Sequence, residues 1–580
     1  GLTYFNRKYM DLDKFNLLNT SQWDMSDIDD IWLPTAYYNG TDNYWDMMTQ
    51  NALTQDYNVS LRGGSPTNSY FASVNYKNQD GVVKGSNSRY IGARFNFESK
   101  VSEVVKFGLN MDASSRQANN KDNMISQILD MRPDYPAYNE DGSINTIDFY
   151  VKNPLIELMD KNYSQSRNLN ASAYLEYNIF PFLKLRSTVN TTYSNVKSET
   201  FNRRYYDGDT NSSKHEATQN YVVVWDNLLT FYKTMGKHDV QALLGSSMEK
   251  QSTDFMRVSG TNFPDDDVLT NIGSAASLTK GERNTNSNKY SSALASAFAR
   301  LQYKYNNRYL LTATFRADGS SKFGKDNRWG YFPSASLAWR MEQEEFMKNI
   351  SWLSQLKIRV SYGVTGNQSI DPYSTFSMYG SNSNLYYADG SGNAQTAFTV
   401  TNLSNNSLKW EKTASWNAGL DFGLFNSRLS GTLDVYQKKT TDLLISRTLP
   451  GSAGFASTYY NQGAMKNNGV ELSLNAQIID KKDWKWSVRG NIGFNKSEIA
   501  ELGLLPSDFG FLGEKVGYYG NSIGDHFGVG HVFLEGEAPG LFFGYVTQGI
   551  VQPEDITEQG VKYTKKDGTI GYYQTFNKVA

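Results

Sequence analysis

Cysteine is absent from the chain, which rules out disulfides and fits an oxidising compartment where stray thiols are a liability. Excess charge of either sign is missing too. The 57 basic and 59 acidic residues leave a net charge of −2, so there is no basic footprint for nucleic acid. Proline is scarce, at 13 residues. No apolar run approaches the roughly 18 residues that a membrane-spanning helix requires. The opening residues GLTYFNRKYMDLDKF lack the apolar core of a signal peptide, so the true N-terminus is expected elsewhere, or removed. The mean hydropathy of −0.56 would suit a soluble protein, but hydropathy windows miss membrane β-barrels, whose lipid-facing and lumen-facing residues average out.

What is plentiful is aromatic rings, with 39 tyrosines, and glycine, with 47 residues. They sit in segments that alternate with period two. In VVKFGLNMDAS, Val105, Phe107, Leu109, Met111 and Ala113 share one face of an extended chain, and Lys106, Asn110, Asp112 and Ser114 share the other. The pattern recurs at Tyr57–Leu61, Ile91–Phe97, Leu169–Ile179, Tyr309–Ala317, Leu356–Val364 and Val470–Ala476. Charges keep to the polar face throughout. A soluble core would exclude charge as firmly as lipid does, so alternation alone leaves open whether the apolar face looks in or out.

The connections decide. About sixteen strands are read, at 56–62, 69–77, 89–98, 104–115, 167–179, 182–196, 217–232, 238–250, 288–305, 308–318, 331–341, 353–365, 408–424, 428–443, 468–478 and 484–497. The links between them alternate short (180–181, 233–237, 306–307) and long (116–166, 251–287, 366–407). Short turns at one end and long loops at the other are the layout of outer-membrane barrels. A propeller would repeat at a nearly fixed period of about 40 residues. A sandwich favours strands of about 5–6 residues, and many here are long enough to cross a bilayer when tilted. So many strands also enclose a lumen too wide for side chains to fill. The expected fold is therefore all-β, a large antiparallel transmembrane β-barrel with short periplasmic turns and long extracellular loops. Phe107 and Leu109 should face lipid, and Lys106 and Asp112 water. Aromatics near the short turns (Phe180, Phe182, Tyr303, Tyr305, Tyr309, Phe422, Phe425, Trp484, Trp486) predict an interfacial girdle. Within the loops, Met124, Ile125, Ile128 and Leu129 predict a short helix in 122–132, and EEFMKN, 344–349, a helical turn.

Motifs for chemistry are thin. GNSIG, 520–524, matches a nucleophile elbow at Ser522, but that device needs a strand before it and a helix after it. Asp525 and His526 lie too near in sequence for ordinary triad partners. The histidines are His215, His238, His526 and His531, and the last two are five apart, unlike a helical zinc motif. No enzyme is expected. No cofactor is expected either, beyond weak calcium binding by the loop carboxylates of PDDD, 264–267, or NEDGS, 139–143. The candidates for contact with a substrate or partner are paired loop tyrosines: Tyr205 and Tyr206, Tyr386 and Tyr387, Tyr459 and Tyr460, Tyr518 and Tyr519. Their flat rings with polar tips can stack on sugar faces or peptide side chains, or glue loops together.

Several long blocks carry a family resemblance. YNVSLRGGSPTNSYFASVNYKNQDGVVKGSNSRYIGARFNFESKV (57–101), ARLQYKYNNRYLLTATFRADGSSKFGKDNRWGYFPSASLAWRM (299–341), LKWEKTASWNAGLDFGLFNSRLSGTLDVYQKKTTDLL (408–444), NQGAMKNNGVELSLNAQ (461–477) and EGEAPGLFFGYVTQGIV (535–551) resemble the SusC/RagA class of TonB-dependent outer-membrane nutrient transporters. The resemblance implies an outer-membrane barrel of about 22 strands that imports a bulky nutrient, an oligosaccharide or oligopeptide. Its implied partners are a SusD-like lipoprotein lid over the loops, TonB acting through a plug domain, and outer-membrane lipid. Residues matching the plug and its TonB-contact segment are not found in the chain, so it is expected to be an internal piece. Residues 1–55 would then be a loop or early barrel segment, 56–497 the barrel, and 498–580 a late extracellular loop region. A passive porin and, less favoured, an outer-membrane hydrolase are the alternatives.

Overall fold

The computed structural model describes residues 42–503, 516–522, 529–542 and three short strands within 556–573; gaps fall at 122–123, 132–135, 147–151, 207, 277–284, 389, 392–393 and 450. Among the described residues sixteen strands form one antiparallel sheet, in which each pairs with the sheet strands before and after it in chain order. In the first half these are β1 (Thr54–Gly64), β2 (Asn68–Asp80), β3 (Asn87–Lys100), β4 (Val105–Asn119), β5 (Lys161–Phe180), β6 (Leu183–Asn202), β7 (Ser212–Met235) and β8 (His238–Thr261). Then follow β9 (Thr285–Tyr305), β10 (Tyr309–Ser320), β11 (Trp329–Arg340) and β12 (Leu353–Asn367). A loop hairpin, β13 (Tyr379–Ala388) with β14 (Ala394–Val400), precedes β15 (Glu411–Leu424) and β16 (Leu429–Thr441). A second loop hairpin, β17 (Leu444–Thr448) with β18 (Ser457–Asn461), precedes β19 (Ala464–Asp480) and β20 (Lys485–Glu501).

Every strand read from the sequence is present. The misreadings concentrate at the loop end. β5 through β8 run five to eleven residues beyond the alternating stretches at the loop end, so the loops there are less extended than expected, and β2 and β3 lengthen until the link expected at 78–88 is only 81–86. Above the membrane both strand faces are wet, and no apolar period marks the pairing. Residues 408–410 do not belong to β15; Leu408 and Trp410 are buried in a loop core instead. The helix expected in 122–132 spans Met124–Asp130 and buries Met124 and Ile128, while Ile125 and Leu129 are exposed. Two further helices, Tyr44–Met48 and Pro154–Met159, begin with Asn43 and Asn153 side chains accepting from backbone N–H groups. They pack with Met124, Ile128, Val83 and Ala137 into a small loop-side core. EEFMKN contains a single 3-10 turn, Glu345–Met347.

The register answers which way the apolar face looks. Val59 pairs with Val74, Val74 with Ala93, Ala93 with Ala113 and Ala113 with Leu169. On the other face Ser60 pairs with Ser73, then Arg94, Asp112 and Asn170. The apolar row is not packed into a core: Val59 is 74 % and Phe315 50 % accessible, and Leu109 is not buried. A soluble sheet would cover such a face; a continuous exposed apolar belt across sixteen strands needs lipid. The turn end carries the girdle, where Phe180 and Phe182 stack at 5.4 Å and Tyr309 lies parallel to Trp339 at 6.3 Å. Tyr309, Trp339 and Arg308 all donate to the Glu344 carboxylate, at 2.7, 3.1 and 2.8 Å. The turns are tight: Asn306 and Asn307 hold φ of 50° and 54°, the left-handed pair at the centre of a turn that the Arg308 N–H closes on the Tyr305 carbonyl at 2.9 Å.

Candidate functional site

The polar face lines the lumen with matched charges. Arg359 donates to both Asp421 oxygens and to Asp434, and the Lys357 ammonium reaches Asp421 at 3.1 Å. Arg316 grips Asp318 at 2.7 and 2.8 Å and donates to Ser296. Rings lie flat against this wall because glycines make room for them. A Cβ on Gly108 would fall 2.1 Å from the Tyr174 ring, which is covered by the Arg186 guanidinium at 3.8 Å and donates to Glu98 at 2.6 Å.

At the loop end the strands carry a core of side chains from distant loops. Phe323 is fully buried against Trp410, with ring centroids 5.3 Å apart. Phe332 meets Trp410 edge-on, and the Trp410 indole N–H donates to the Arg328 carbonyl at 2.8 Å. Gly330 and Gly366 bring backbone against the Phe332 ring. The RADGSSKF block is therefore structural: it ties β10 into the wall through Arg316 and Asp318, and roots the loops through Phe323.

Beside this core lies a cavity of about 640 Å³, floored by lumen-facing Gln251, Asn288, Tyr290 and Ser292 and closed by Asp371, Tyr373 and Tyr459. Tyr373 holds φ at 69°, strained for a residue with a side chain, and its hydroxyl accepts from the Ser291 backbone N–H. The Tyr459 phenol is pushed up by burial and by the Asp371 carboxylate to which it donates. Asp371 and Tyr373 escaped sequence reading, because neither stands in a motif and only the loop's path brings them over β9.

The paired tyrosines fare differently. Among the described ones Tyr459 alone lines that cavity; its neighbour Tyr460 is covered by the Arg447 guanidinium at 5.7 Å. Tyr205 is tied inward, donating to Asp160 at 3.0 Å beneath the Lys152 ammonium at 4.2 Å, and Tyr206 is half-buried next to it. Tyr387 is exposed on β13; the side chains of Tyr386, Tyr518 and Tyr519 lie outside the described residues. Of the elbow motif, Ser522 ends a strand at Val516–Ser522, and 523–528, with His526, lie outside the described residues. His531 lies against Phe542 with tilted rings 5.2 Å apart, and His238 bonds Tyr303 at 2.7 Å in the girdle.

Of the carboxylates singled out for calcium, the four aspartates are engaged within the chain, and Glu140 is exposed. Asp265 accepts from the backbone of Asp267, Val268 and Leu269, Asp266 takes Arg204 and Asn211, and Asp267 takes Arg203 at 2.6 Å. Asp141 accepts from Ser143. Hydrogen bonds from Val268 and Asp267 hold the Asp265 carboxyl down, and the Arg203 pair holds Asp267 down.

Asp160 behaves oppositely. Burial raises its carboxyl although the Arg203 backbone N–H and the Tyr205 hydroxyl donate to it, and burial lowers Lys121, whose ammonium reaches the Asp160 carbonyl. A raised carboxyl contributes stability that is present in mild acid and lost as pH climbs through its folded value. Asp160→Asn keeps the acceptor and removes this pH dependence. Asp160→Ala orphans two donors and is expected to loosen the 203–211 loop by about 1–3 kcal/mol. Hydrogen exchange of that loop at pH 5 and pH 8 reads both.

A family model described as "TonB dependent receptor-like, beta-barrel" matches residues 110–549. The chain belongs to the TonB-dependent receptor β-barrel family. TonB-dependent receptor SusC of Bacteroides thetaiotaomicron is 32 % identical over 515 residues, covering 81 % of this chain and 49 % of that protein. TonB-dependent receptor P26 of Formosa agariphila is also 32 % identical, covering 81 % of this chain and 48 % of its own length. The chain thus spans about half the length of the curated relatives it matches. The solved RagAB peptide importer in its 'open-open' state superimposes with a TM-score of 0.77 over 96 % of this chain and 62 % of that one; at 23 % identity this speaks for the fold. The SusC/RagA type, the all-β barrel and its outer-membrane location follow from family and fold together.

Proposed function

We propose that the full-length receptor imports a bulky nutrient, an oligosaccharide or oligopeptide, through this barrel. TonB would drive it, and a SusD-like lipoprotein would close over the long loops. The cavity between loop and lumen carries the proposal. Its floor belongs to the channel wall and its roof to the loops, so a ligand caught outside is already at the lumen's mouth. Tyr459, Tyr373 and Tyr290 offer rings, and Asp371, Lys322, Asn288 and Gln251 offer directed polar contacts, the mixture that orients a polar polymer.

Uptake of labelled oligosaccharides and oligopeptides by cells carrying the full-length receptor tests this. Collapse of uptake under a protonophore is expected. Tyr459→Ala is expected to weaken apparent affinity about tenfold, the worth of one ring anchor, at unchanged surface abundance. Uptake indifferent to the proton-motive force, with an open ohmic pore in planar bilayers, would establish a passive porin instead.

A further inference from the structure

The outward face differs at its two ends. At the turn end it is aromatic. At the loop end, just above the apolar belt, it turns cationic, most densely on four adjacent strands, β15, β16, β19 and β20. There Lys412, Lys439, Lys466 and Lys496 share the outward parity of the exposed Trp416, Val435, Val470 and Phe494; Lys412, Lys439 and Lys496 are exposed and Lys466 is half-buried. Below them Ala418, Val435, Val470 and Phe494 form one apolar row by register.

The four lysines do not share a register row. Lys439 stands directly opposite Lys466; Lys412 lies two residues loopward of Lys439's row and Lys496 two residues turnward of Lys466's row. On a tilted sheet that diagonal is level with the membrane. A tilt of about 35–45°, with strands about 4.8 Å apart and rising about 3.3 Å per residue, moves the level position roughly one residue per strand. The turns show the same drift in the same direction: the β5–β6 turn adjoins Leu183, opposite Phe231, whereas the β7–β8 turn comes four residues later, after Met235. The lysines therefore sit at one height, over the exposed rings of Trp416 and Phe494.

Like charges directly opposite across a strand pair repel, as Lys439 and Lys466 do. Glu498, 3.4 Å from Lys466, is the acid placed within that cluster. An anion seated between the lysines removes the repulsion. The patch is continuous with the lipid belt, so the anion belongs to lipid. We propose that Lys412, Lys439, Lys466 and Lys496 bind the phosphate groups of the glycolipid in the loop-side leaflet, fixing the barrel's depth and rotation there.

The test titrates diphosphoryl lipid A into the full-length receptor in neutral-detergent micelles and follows the thermal midpoint. Replacing all four lysines by Gln is expected to weaken apparent lipid affinity by at least about tenfold. Lys439→Gln is expected to weaken it measurably, and Lys438→Gln, one residue away but lumen-facing, to leave it unchanged. Dephosphorylated lipid should bind none of them well. If the quadruple variant fails the gel-shift test for folded barrel, the Lys439→Gln, Lys466→Gln double variant carries the comparison. Equal loss in Lys438→Gln and Lys439→Gln, wild-type affinity in the multiple variant, or equal binding of dephosphorylated lipid would each overturn the proposal.

Discussion

Leu301→Arg is expected to destabilise the barrel by about 1–2 kcal/mol in a bilayer, the cost of a cation on the lipid face between the girdle and the midplane. Leu301 pairs with Ala313 on the exposed apolar face of β9. Its chain neighbour Arg300 already points the other way, its guanidinium 3.4 Å from the Thr314 hydroxyl. Gln302→Arg, on that lumen side, should shift stability by no more than about 0.5 kcal/mol. Denaturant unfolding of both full-length variants in phospholipid vesicles reads the difference. Equal effects would mean the two faces had been assigned wrongly, and with them the membrane.

Phe323→Ala should cost more, about 3–5 kcal/mol, and locally. The ring is fully buried against Trp410, within a cluster that includes Phe332, Ile370 and Leu408. Those residues come from segments far apart in sequence, so no local structure compensates for the void. Thr375, also fully buried, donates to the Lys322 carbonyl next door at 3.4 Å, so the loop roofing the cavity should loosen with it. Hydrogen exchange should rise across 368–378 and 403–410 and stay unchanged in β5 through β8. Uptake should fall with it, since Asp371, Tyr373 and Tyr459 close the cavity only while the roof is held.

The contrast between these two substitutions explains what was legible. A lipid-facing strand is written locally, two residues at a time, because hydrocarbon imposes one chemistry on every outward position. That is why β3, β4 and β9 through β12 can be read nearly to their ends. Loop architecture is written non-locally. The β13–β14 and β17–β18 hairpins alternate weakly and pair above the membrane, where nothing enforces a period. Leu408 and Trp410 looked like strand residues because they continue an apolar pattern; their partners, Phe323 and Phe332, are more than seventy residues away. The short helix Pro154–Met159 did carry a signal, an asparagine cap followed by proline, that apolar spacing alone overlooks. Among the tyrosines, composition could say that rings gather in loops, but whether a ring meets a carboxylate, as Tyr205 meets Asp160, or opens on a cavity, as Tyr459 does, depends on chain paths that sequence spacing does not encode.

Pairing of each described strand with the sheet strands before and after it has a mechanical meaning. Drawn out from one end, these strands should come apart like knitting, one hairpin per rupture. The longest stitch would be β7 with β8, whose partners run in unbroken register from Met235 and His238 to Ser212 and Thr261. That uninterrupted span is the place where an unravelling sheet would pause longest.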